Sequence, residues 1–324
     1  MLYKILKPIV RLAMLIFCRR IIINEPELLK RKGPLLLACN HPNSFLDAAI
    51  LADLFKHPVY SLTRGDVFKK PFYRKLLTAL KMFPVYRTSE GVENLNINYE
   101  TFTICRKIFE QNGIVLIFSE GRCFNEWHLR PLMKGTARLA FGSWDKNIPL
   151  EVLPVGINYS SFRRFGKNLF INFGEIISKN DFDLTEADGK KFQAFNNKLQ
   201  QQLQQLVFEI DKEDKVKQKQ LLEKKAPLLL KIILCIPAMI GWLVHAPLYL
   251  PINNFTIKRT NNNDHHDSIL MALLLFFYPW YLLVITSVII LITQNLYFLF
   301  LLLIIPFTAW AYVQVKSQLD IKKS

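Results

Sequence analysis

The chain has 324 residues, which is enough for one large domain or two smaller ones. Lys and Arg total 42 against 26 for Asp and Glu, and the formal charge of +16 favours an anionic partner. Neither a zinc-finger spacing nor an aromatic-glycine RNA-binding signature occurs, so we expect membrane lipids as partners and no nucleic acid. The five cysteines form no Cys-x-x-Cys pair, which predicts reduced thiols and a cytoplasmic location for the main domain.

The first 25 residues predict a helix at a membrane interface. Apolar positions from Met1 to Phe17 are interrupted by Lys4, Lys7 and Arg11. This pattern lacks the uninterrupted apolar core and small-residue cleavage site of a signal peptide. An amphipathic helix lying in the interface fits the pattern, and a helix packed on a protein core is the alternative.

Residues 26–210 alternate between predicted strands and helices. Apolar runs predict strands at 35–39, 59–62, 83–86, 114–118, 152–156 and 169–174, with helices between most of them. Such alternation is typical of an α/β domain with a mainly parallel sheet flanked by helices. The charge-rich residues 211–227 that follow are predicted to be a linker or a surface helix.

Residues 228–316 are predicted to be membrane segments. Residues 269–292 and 296–315 are uncharged stretches of 24 and 20 residues, each long enough to cross a bilayer. The short break between them predicts a helical hairpin, and flanking basic residues place both of its ends in the cytoplasm. Residues 228–250 contain Pro237 and Pro247 and have basic flanks on both sides, which favours a re-entrant or interfacial element over a third crossing.

The connection between residues 250 and 269 holds the run Asp264-His265-His266-Asp267. These side chains could ligate a metal ion, but a polar loop beside the membrane explains them better, and no metal site is expected. The whole pattern predicts an integral protein of the cytoplasmic membrane, with its main domain on the cytoplasmic face.

Residues 40–47 read Asn-His-Pro-Asn-Ser-Phe-Leu-Asp and follow the predicted strand 35–39. A histidine at a strand-to-helix turn can act as a general base, and a carboxylate one helical turn further on can hold its tautomer. This predicts roles for His41 and Asp47. A polar turn capped by Asn43 or Ser44 is the alternative for this segment alone.

Three more blocks follow strands in the same way. They are Phe-Pro-Val-Tyr-Arg at 83–87, Phe-Ser-Glu-Gly-Arg at 118–122, and Val-Leu-Pro-Val-Gly at 152–156. The carboxyl ends of parallel strands open onto one crevice, where ligands bind. His41, Arg87 and Glu120 are therefore predicted to face the same crevice.

In this order the four blocks resemble those of the glycerophospholipid acyltransferases, over roughly residues 35–160. The resemblance implies esterification of glycerol-3-phosphate or lysophosphatidic acid in phospholipid synthesis. The co-substrate would be an acyl-CoA or acyl-carrier-protein thioester, with no other cofactor, and acyl carrier protein is a candidate partner. An amino-acid lipid or another lysolipid as acceptor, and an inactive membrane-anchored lipid-binding relative, are the alternatives.

The resemblance also implies individual roles. His41 would be the catalytic base and Asp47 would orient it, while Arg87, Glu120 and Gly121 would bind the phosphate-bearing head of the acceptor.

Two departures from the family pattern bear on the acceptor. Five residues rather than four separate the motif histidine and aspartate, as in the branch that accepts glycerol-3-phosphate and dihydroxyacetone phosphate. In the third block Ser119 stands at the usual proline, and Arg122-Cys123 replace threonine and arginine. Arg122 and Lys134 are further candidate cations for the phosphate.

Overall fold

The computed structural model describes residues 2–86, 95–261 and 263–319, except for the side chains of residues 95 and 96. Within these ranges seven strands form one sheet. The strands are β1 (Cys18–Ile23), β2 (Leu35–Cys39), β3 (Val59–Arg64), β4 (Met82–Val85), β5 (Ile114–Phe118), β6 (Glu151–Tyr159) and β7 (Lys167–Phe173). The helices are α1 (Leu2–Phe17), α2 (Phe45–Leu54), α3 (Pro71–Ala79), α4 (Leu95–Glu110), α5 (Gly135–Trp144), α6 (Asp188–Leu206), α7 (Lys215–Leu222), α8 (Leu228–Arg259), α9 (His266–Thr293) and α10 (Leu301–Val315).

The strand order is β1-β7-β6-β2-β5-β3-β4, and the five strands from β6 to β4 are mutually parallel. Strand β7 runs antiparallel to β6, and β1 runs parallel to β7. Cys39, the last residue of β2, pairs with Phe118 of β5 and Val155 of β6, so these strands reach the same edge. The predicted fold class, a mainly parallel sheet flanked by helices, is confirmed.

The sheet is covered on both faces, which is why all five residues of β2 are buried. Leu35, Leu37 and Cys39 face a core that contains residues of α1 and α2. Leu36 and Ala38 face a second core built with α4, α5 and α6. This arrangement of helices, sheet and helices supports the ends of the strands where the sequence motifs lie.

The N-terminal boundary differs from the prediction. Residues 18–23, assigned from sequence to the interfacial segment 1–25, form β1 at the edge of the sheet. Ile21 pairs with Leu169 of β7. The paired residues Arg19-Arg20 resemble the flank of a membrane helix, but the β-branched run that follows them suits a strand. The sheet domain therefore begins before residue 26.

The predicted linker 211–227 contains the short helix α7, and this helix packs on the domain. Leu222 is fully buried, and its carbonyl accepts a hydrogen bond from the Asn168 side chain at 2.9 Å. Gln218 is also buried and donates to the Lys212 carbonyl at 2.9 Å. Residues 215–222 thus form a helix anchored on the domain, which is the surface-helix alternative with two buried residues added.

Helix α1 presents apolar residues on two sides. Met14 and Phe17 are buried against the domain, while Ile5, Ile9 and Leu12 are exposed. One apolar side thus contributes to the core, and the other faces away from the domain and is available to a membrane.

Three C-terminal helices are long and apolar enough to cross a membrane, by length and composition: Leu228–Arg259, His266–Thr293 and Leu296–Val315. The first is one continuous helix of 32 residues with three prolines inside it, so it extends beyond the predicted segment 228–250. It packs closely on α10, because a Cβ atom at Gly241 would lie 2.1 Å from the Thr308 carbonyl oxygen. Small residues allow such close contact between membrane helices.

Gly156 allows β6 and α6 to approach each other, and its replacement tests this packing. A Cβ at this position would lie 2.6 Å from the Leu206 carbonyl oxygen, so Gly156→Ala should destabilise the fold by about 1–3 kcal/mol. The matched control is Gly189→Ala in α6, where no described atom would lie within 4 Å of the added Cβ. The control should be neutral or slightly stabilising. Thermal unfolding in detergent measures both, and equal midpoints would contradict the expected clash.

Candidate active site

His41 lies in the turn between β2 and α2 and forms a pair with Asp47. Its Nδ1 is 2.9 Å from Asp47 Oδ2. An ionised carboxylate can only accept a hydrogen bond, so Nδ1 carries the proton and Nε2 keeps a lone pair. Within the described ranges Nε2 has no hydrogen-bond partner, and the His41 side chain is 18% exposed. This is the state of a histidine that can accept a proton.

Asp47 is fully buried in the first turn of α2, where the helix dipole favours a carboxylate. Besides His41, two other groups donate to it. The Asn43 backbone N–H lies 2.8 Å from Oδ2, and the Tyr159 hydroxyl lies 2.7 Å from Oδ1. Burial raises the pKa of Tyr159 well above its ordinary value, so the phenol keeps its proton and donates it. Three donors therefore hold this carboxylate in one position.

The His41 ring stacks on Phe118, the last residue of β5, with ring centroids 3.8 Å apart and planes 14° apart. Stacking fixes the ring plane, and the bond to Asp47 fixes its rotation. The capped-turn alternative is not seen, because the Ser44 side chain makes no capping bond to α2. Instead Ser44 Oγ lies 2.6 Å from Nδ1 of His265.

Glu120 follows β5 and uses both carboxyl oxygens on backbone groups. Oε2 accepts from the His41 N–H at 2.7 Å, and Oε1 accepts from the Arg130 N–H at 2.8 Å. The residue is 5% exposed, and burial raises the pKa of its carboxyl to about 7 against the opposing effect of those two bonds. Glu120 thus ties the His41 turn to the loop after β5. Its predicted contact with the acceptor stays a prediction.

Three of the remaining candidate residues lie in or beside the loop after β5, and the fourth lies outside the described residues. Gly121 has a φ of +69°, which the turn after β5 requires and which few other residues adopt readily. Arg122 and Lys134 are exposed in this loop, and Lys134 immediately precedes α5. Arg87 lies outside the described residues. The predicted phosphate contacts of these residues stay predictions.

Ser119, at the usual proline of the third block, has a visible role. Its N–H donates to the Cys39 carbonyl at 2.8 Å, and its hydroxyl lies 3.0 Å from the Thr136 hydroxyl. A proline could not make the first bond, because it has no N–H. The substitution therefore adds a bond between the ends of β5 and β2.

The connection between α8 and α9 reaches this site, which the sequence did not indicate. Asn43 donates from its side chain to Asp267 Oδ2 at 2.7 Å, and the Leu46 N–H donates to Ser268 Oγ at 3.2 Å. Asp267 and Lys167 form an ion pair in which both side chains are fully buried. The α8–α9 connection, predicted to be a polar loop, therefore includes buried residues that hold the His41 turn in place.

The Asp267–Lys167 pair should be costly to break on one side only. Asp267→Asn leaves the Lys167 ammonium buried without a counter-charge, and we expect a loss of about 3–5 kcal/mol in the free energy of unfolding. The double change Lys167→Met with Asp267→Leu removes both charges and should recover much of that loss.

The matched control for that pair is Glu151→Gln, which breaks the half-exposed ion pair between Glu151 and Arg31. We expect about 0–1 kcal/mol there. Unfolding in detergent, followed by circular dichroism, measures all four proteins. Equal losses for Asp267→Asn and Glu151→Gln would contradict the role given to burial.

Glu120 also predicts a pH dependence of stability. Its pKa is about 7 in the fold against an ordinary 4.5, so folding favours the protonated form. The contribution to stability is therefore complete below pH 4.5 and is lost as the pH rises to about 7. The melting temperature of wild type minus that of Glu120→Gln should fall between pH 4.5 and about 7 and stay constant at higher pH. A difference curve of the same shape for Glu110→Gln, which removes an exposed carboxylate of α4, would contradict the assignment.

The comparisons with known proteins agree with the motifs. The acyltransferase family model matches residues 20–158, which include β1, the His41–Asp47 pair and Glu120. Comparison with curated protein sequences gives no match. A crystal structure of the 1-acyl-sn-glycerophosphate (LPA) acyltransferase PlsC from Thermotoga maritima is similar with a TM-score of 0.44 and 12% identity, over 63% of this chain and 81% of that chain. That likeness is too slight to bear on substrate or mechanism. Residues 20–158 therefore form a domain of the acyltransferase family.

Proposed function

We propose that the protein moves a fatty acyl group from an acyl thioester to a hydroxyl of glycerol-3-phosphate or lysophosphatidic acid. His41 is the general base. The observation that carries this proposal is the His41–Asp47 pair at 2.9 Å, with Nε2 left to accept a proton. The pair lies within the acyltransferase domain, at the carboxyl edge of β2.

The reaction needs no nucleophile from the protein. The acceptor hydroxyl gives its proton to Nε2 of His41 while its oxygen attacks the acyl carbonyl, and buried Asp47 stabilises the imidazolium that forms. Collapse of the tetrahedral intermediate then forms the ester and expels the thiolate. The thiolate takes the proton back from Nε2, which restores neutral His41.

The acceptor phosphate is proposed to bind beside the loop after β5. Exposed Arg122 and Lys134 supply positive charge there, and the N-terminus of the ten-residue helix α5 adds unpaired backbone N–H groups. Arg87 of the second block is a further proposed ligand. Glu120 would act mainly on this loop, since both of its oxygens bond to backbone N–H groups.

The C-terminal helices are proposed to lie in the cytoplasmic membrane with the domain on its cytoplasmic face. Both ends of α8 are tied to the domain or its neighbours. Before α8, the Lys224 N–H donates to Gln318 Oε1 at 2.8 Å, and after it the Asp264 carbonyl accepts from Asn125 at 3.5 Å. Because both ends of α8 lie on the same side of the membrane in this arrangement, we favour a re-entrant α8. Its three internal prolines allow the helix to kink.

The other two helices then form the crossing hairpin. Helix α9 begins beside the His41 turn, and α10 ends where Lys316 donates to the Phe165 carbonyl at 2.6 Å. Helix α1 contacts both of them, so its exposed apolar side lies next to the membrane segments. An acyl donor or lysolipid partly held in the bilayer would thus reach the His41 edge directly. The donor is an acyl-CoA or acyl-carrier-protein thioester.

The test is an acyl-transfer assay on the purified chain in detergent. Acyl-CoA and acyl-carrier-protein are tried as donors with glycerol-3-phosphate, dihydroxyacetone phosphate, lysophosphatidic acid and uncharged or amino-acid lysolipids as acceptors. His41→Ala should lower turnover about 10²–10⁴-fold, because it removes the base. Asp47→Asn should lower it as well, because the amide cannot accept all three of the present hydrogen bonds.

The matched control is His57→Ala, which removes a histidine just before β3, at the opposite edge of the sheet. It should keep wild-type turnover. Equal turnover in wild type and His41→Ala would overturn the mechanism. Turnover only on an acceptor without phosphate would overturn the glycerophosphate assignment. A wild type inactive on every acceptor would mean a lipid-binding relative that has lost activity.

A further inference from the structure

A cavity of about 480 Å³ lies between the β6–β7 connection, the second half of α8 and the end of α10. We call it the basic pocket. Arg163, Arg164 and Lys316 line it, and none of its described lining residues is acidic. His41 and the loop after β5 are not part of its wall. Its size is that of a small-ligand site, and its charge suits an anion.

The buried side chain of His266 faces this pocket without a hydrogen-bond partner in the described chain. The residue is 1% exposed and lines the pocket, and neither ring nitrogen has a hydrogen-bond partner in the described chain. Its Nδ1 is 3.6 Å from Asp267 Oδ1, which is beyond hydrogen-bonding distance. A buried polar group without a partner costs free energy. An oxygen-rich anion in the pocket would supply the missing partner.

Three basic side chains contribute to the wall of the pocket. Lys316 donates to the Phe165 carbonyl at 2.6 Å, and Arg164 donates to the Ser317 carbonyl at 3.4 Å, so both side chains are held in place there. Arg163 is exposed at the rim. The positive charge of these three residues favours a phosphate group in the pocket.

The position of the pocket points to a lipid rather than to a free anion. Tyr249 of α8 and Tyr312 of α10 line it together with Lys316, which directly follows α10. Tyrosines and lysines at helix ends mark the level of the lipid head groups. Basic pockets between membrane helices on the cytoplasmic side bind anionic head groups. The apolar stretches of α8 and α10 would pack against the acyl chains.

We propose that the basic pocket binds the phosphate of an anionic phospholipid, at a site separate from the acyl-transfer site. The proposal rests on the membrane placement given above, but it does not require that the protein transfer acyl groups. A lipid phosphate on His266 would lie one residue from Asp267, whose carboxylate holds the side chain of Asn43 at 2.7 Å. The bound lipid would thus be in contact with the support of the His41 turn.

Binding of dioctanoyl phosphatidylglycerol to the full chain in detergent tests the proposal, with isothermal titration calorimetry as the measurement. This probe is anionic but is not one of the proposed acceptors. Arg163→Gln should weaken its binding about tenfold, as expected for loss of one charge-assisted contact. Lys146→Gln, at the opposite edge of the sheet, and Arg122→Gln, in the proposed acceptor site, are the charge-matched controls and should bind as wild type does.

A second variant separates binding from folding. His266→Phe fills the same space without polar atoms, so its melting temperature should not fall while its affinity for the probe falls several-fold. Dioctanoyl phosphatidylcholine should bind at least tenfold more weakly than the anionic probe to the wild type, because its head group carries no net charge.

Equal affinity of wild type, Arg163→Gln and His266→Phe for the probe would overturn the proposal. Binding of inorganic phosphate without binding of the lipid would overturn its lipid part and leave a site for the free ion. Because the readout is binding, loss of turnover in the acyl-transfer assay would not produce either outcome. A failed proposal here and a failed acyl-transfer mechanism are therefore distinguishable.

Discussion

The buried carboxylate of Asp47 is the constraint on which the rest of the site depends. A charge with no exposure is tolerated only when donors surround it, and here three donors come from two parts of the fold. The ring of His41 and the backbone of Asn43 come from the turn after β2, and the hydroxyl of Tyr159 comes from the end of β6. Satisfying this carboxylate thus aligns β2, α2 and β6.

The same turn is held a second time by the start of α9. Asn43 donates from its backbone to Asp47 and from its side chain to Asp267, so one residue links two buried carboxylates. Asp267 is neutralised by Lys167 at the start of β7. The geometry of the His41 turn therefore depends on the position of the start of α9. This link keeps the His41 ring at a fixed position relative to the first turn of α9.

The parts of the fold with a strong apolar period were predictable from sequence. The runs at 35–39 and 114–118 are buried strands because both faces of the sheet are covered, and the blocks that follow them meet at one edge for that reason. What escaped prediction depends on contacts distant in sequence. Strand β1 is an edge strand whose second and third residues are arginines. Tyr159 and Asp267 acquire their roles only through hydrogen-bond partners 112 and 224 residues away.

The two departures from the family pattern are coupled in space. The extra residue between His41 and Asp47 is accommodated by Ser44, which has a φ of +53°, a region that non-glycine residues seldom adopt. In that conformation the Ser44 N–H donates to Cys123 Sγ at 2.9 Å, and Cys123 is itself one of the altered residues of the third block. The Ser44 hydroxyl meets His265 at 2.6 Å.

The longer turn therefore contacts the altered third block through Cys123 and the α8–α9 connection through His265. Shortening the turn by one residue would remove the left-handed position and leave the backbone N–H, Cys123 and His265 without these bonds. The turn with the extra residue and the altered third block are thus in direct contact. Together they fix the backbone of the turn that carries His41, while the bond between His41 and Asp47 is kept at 2.9 Å.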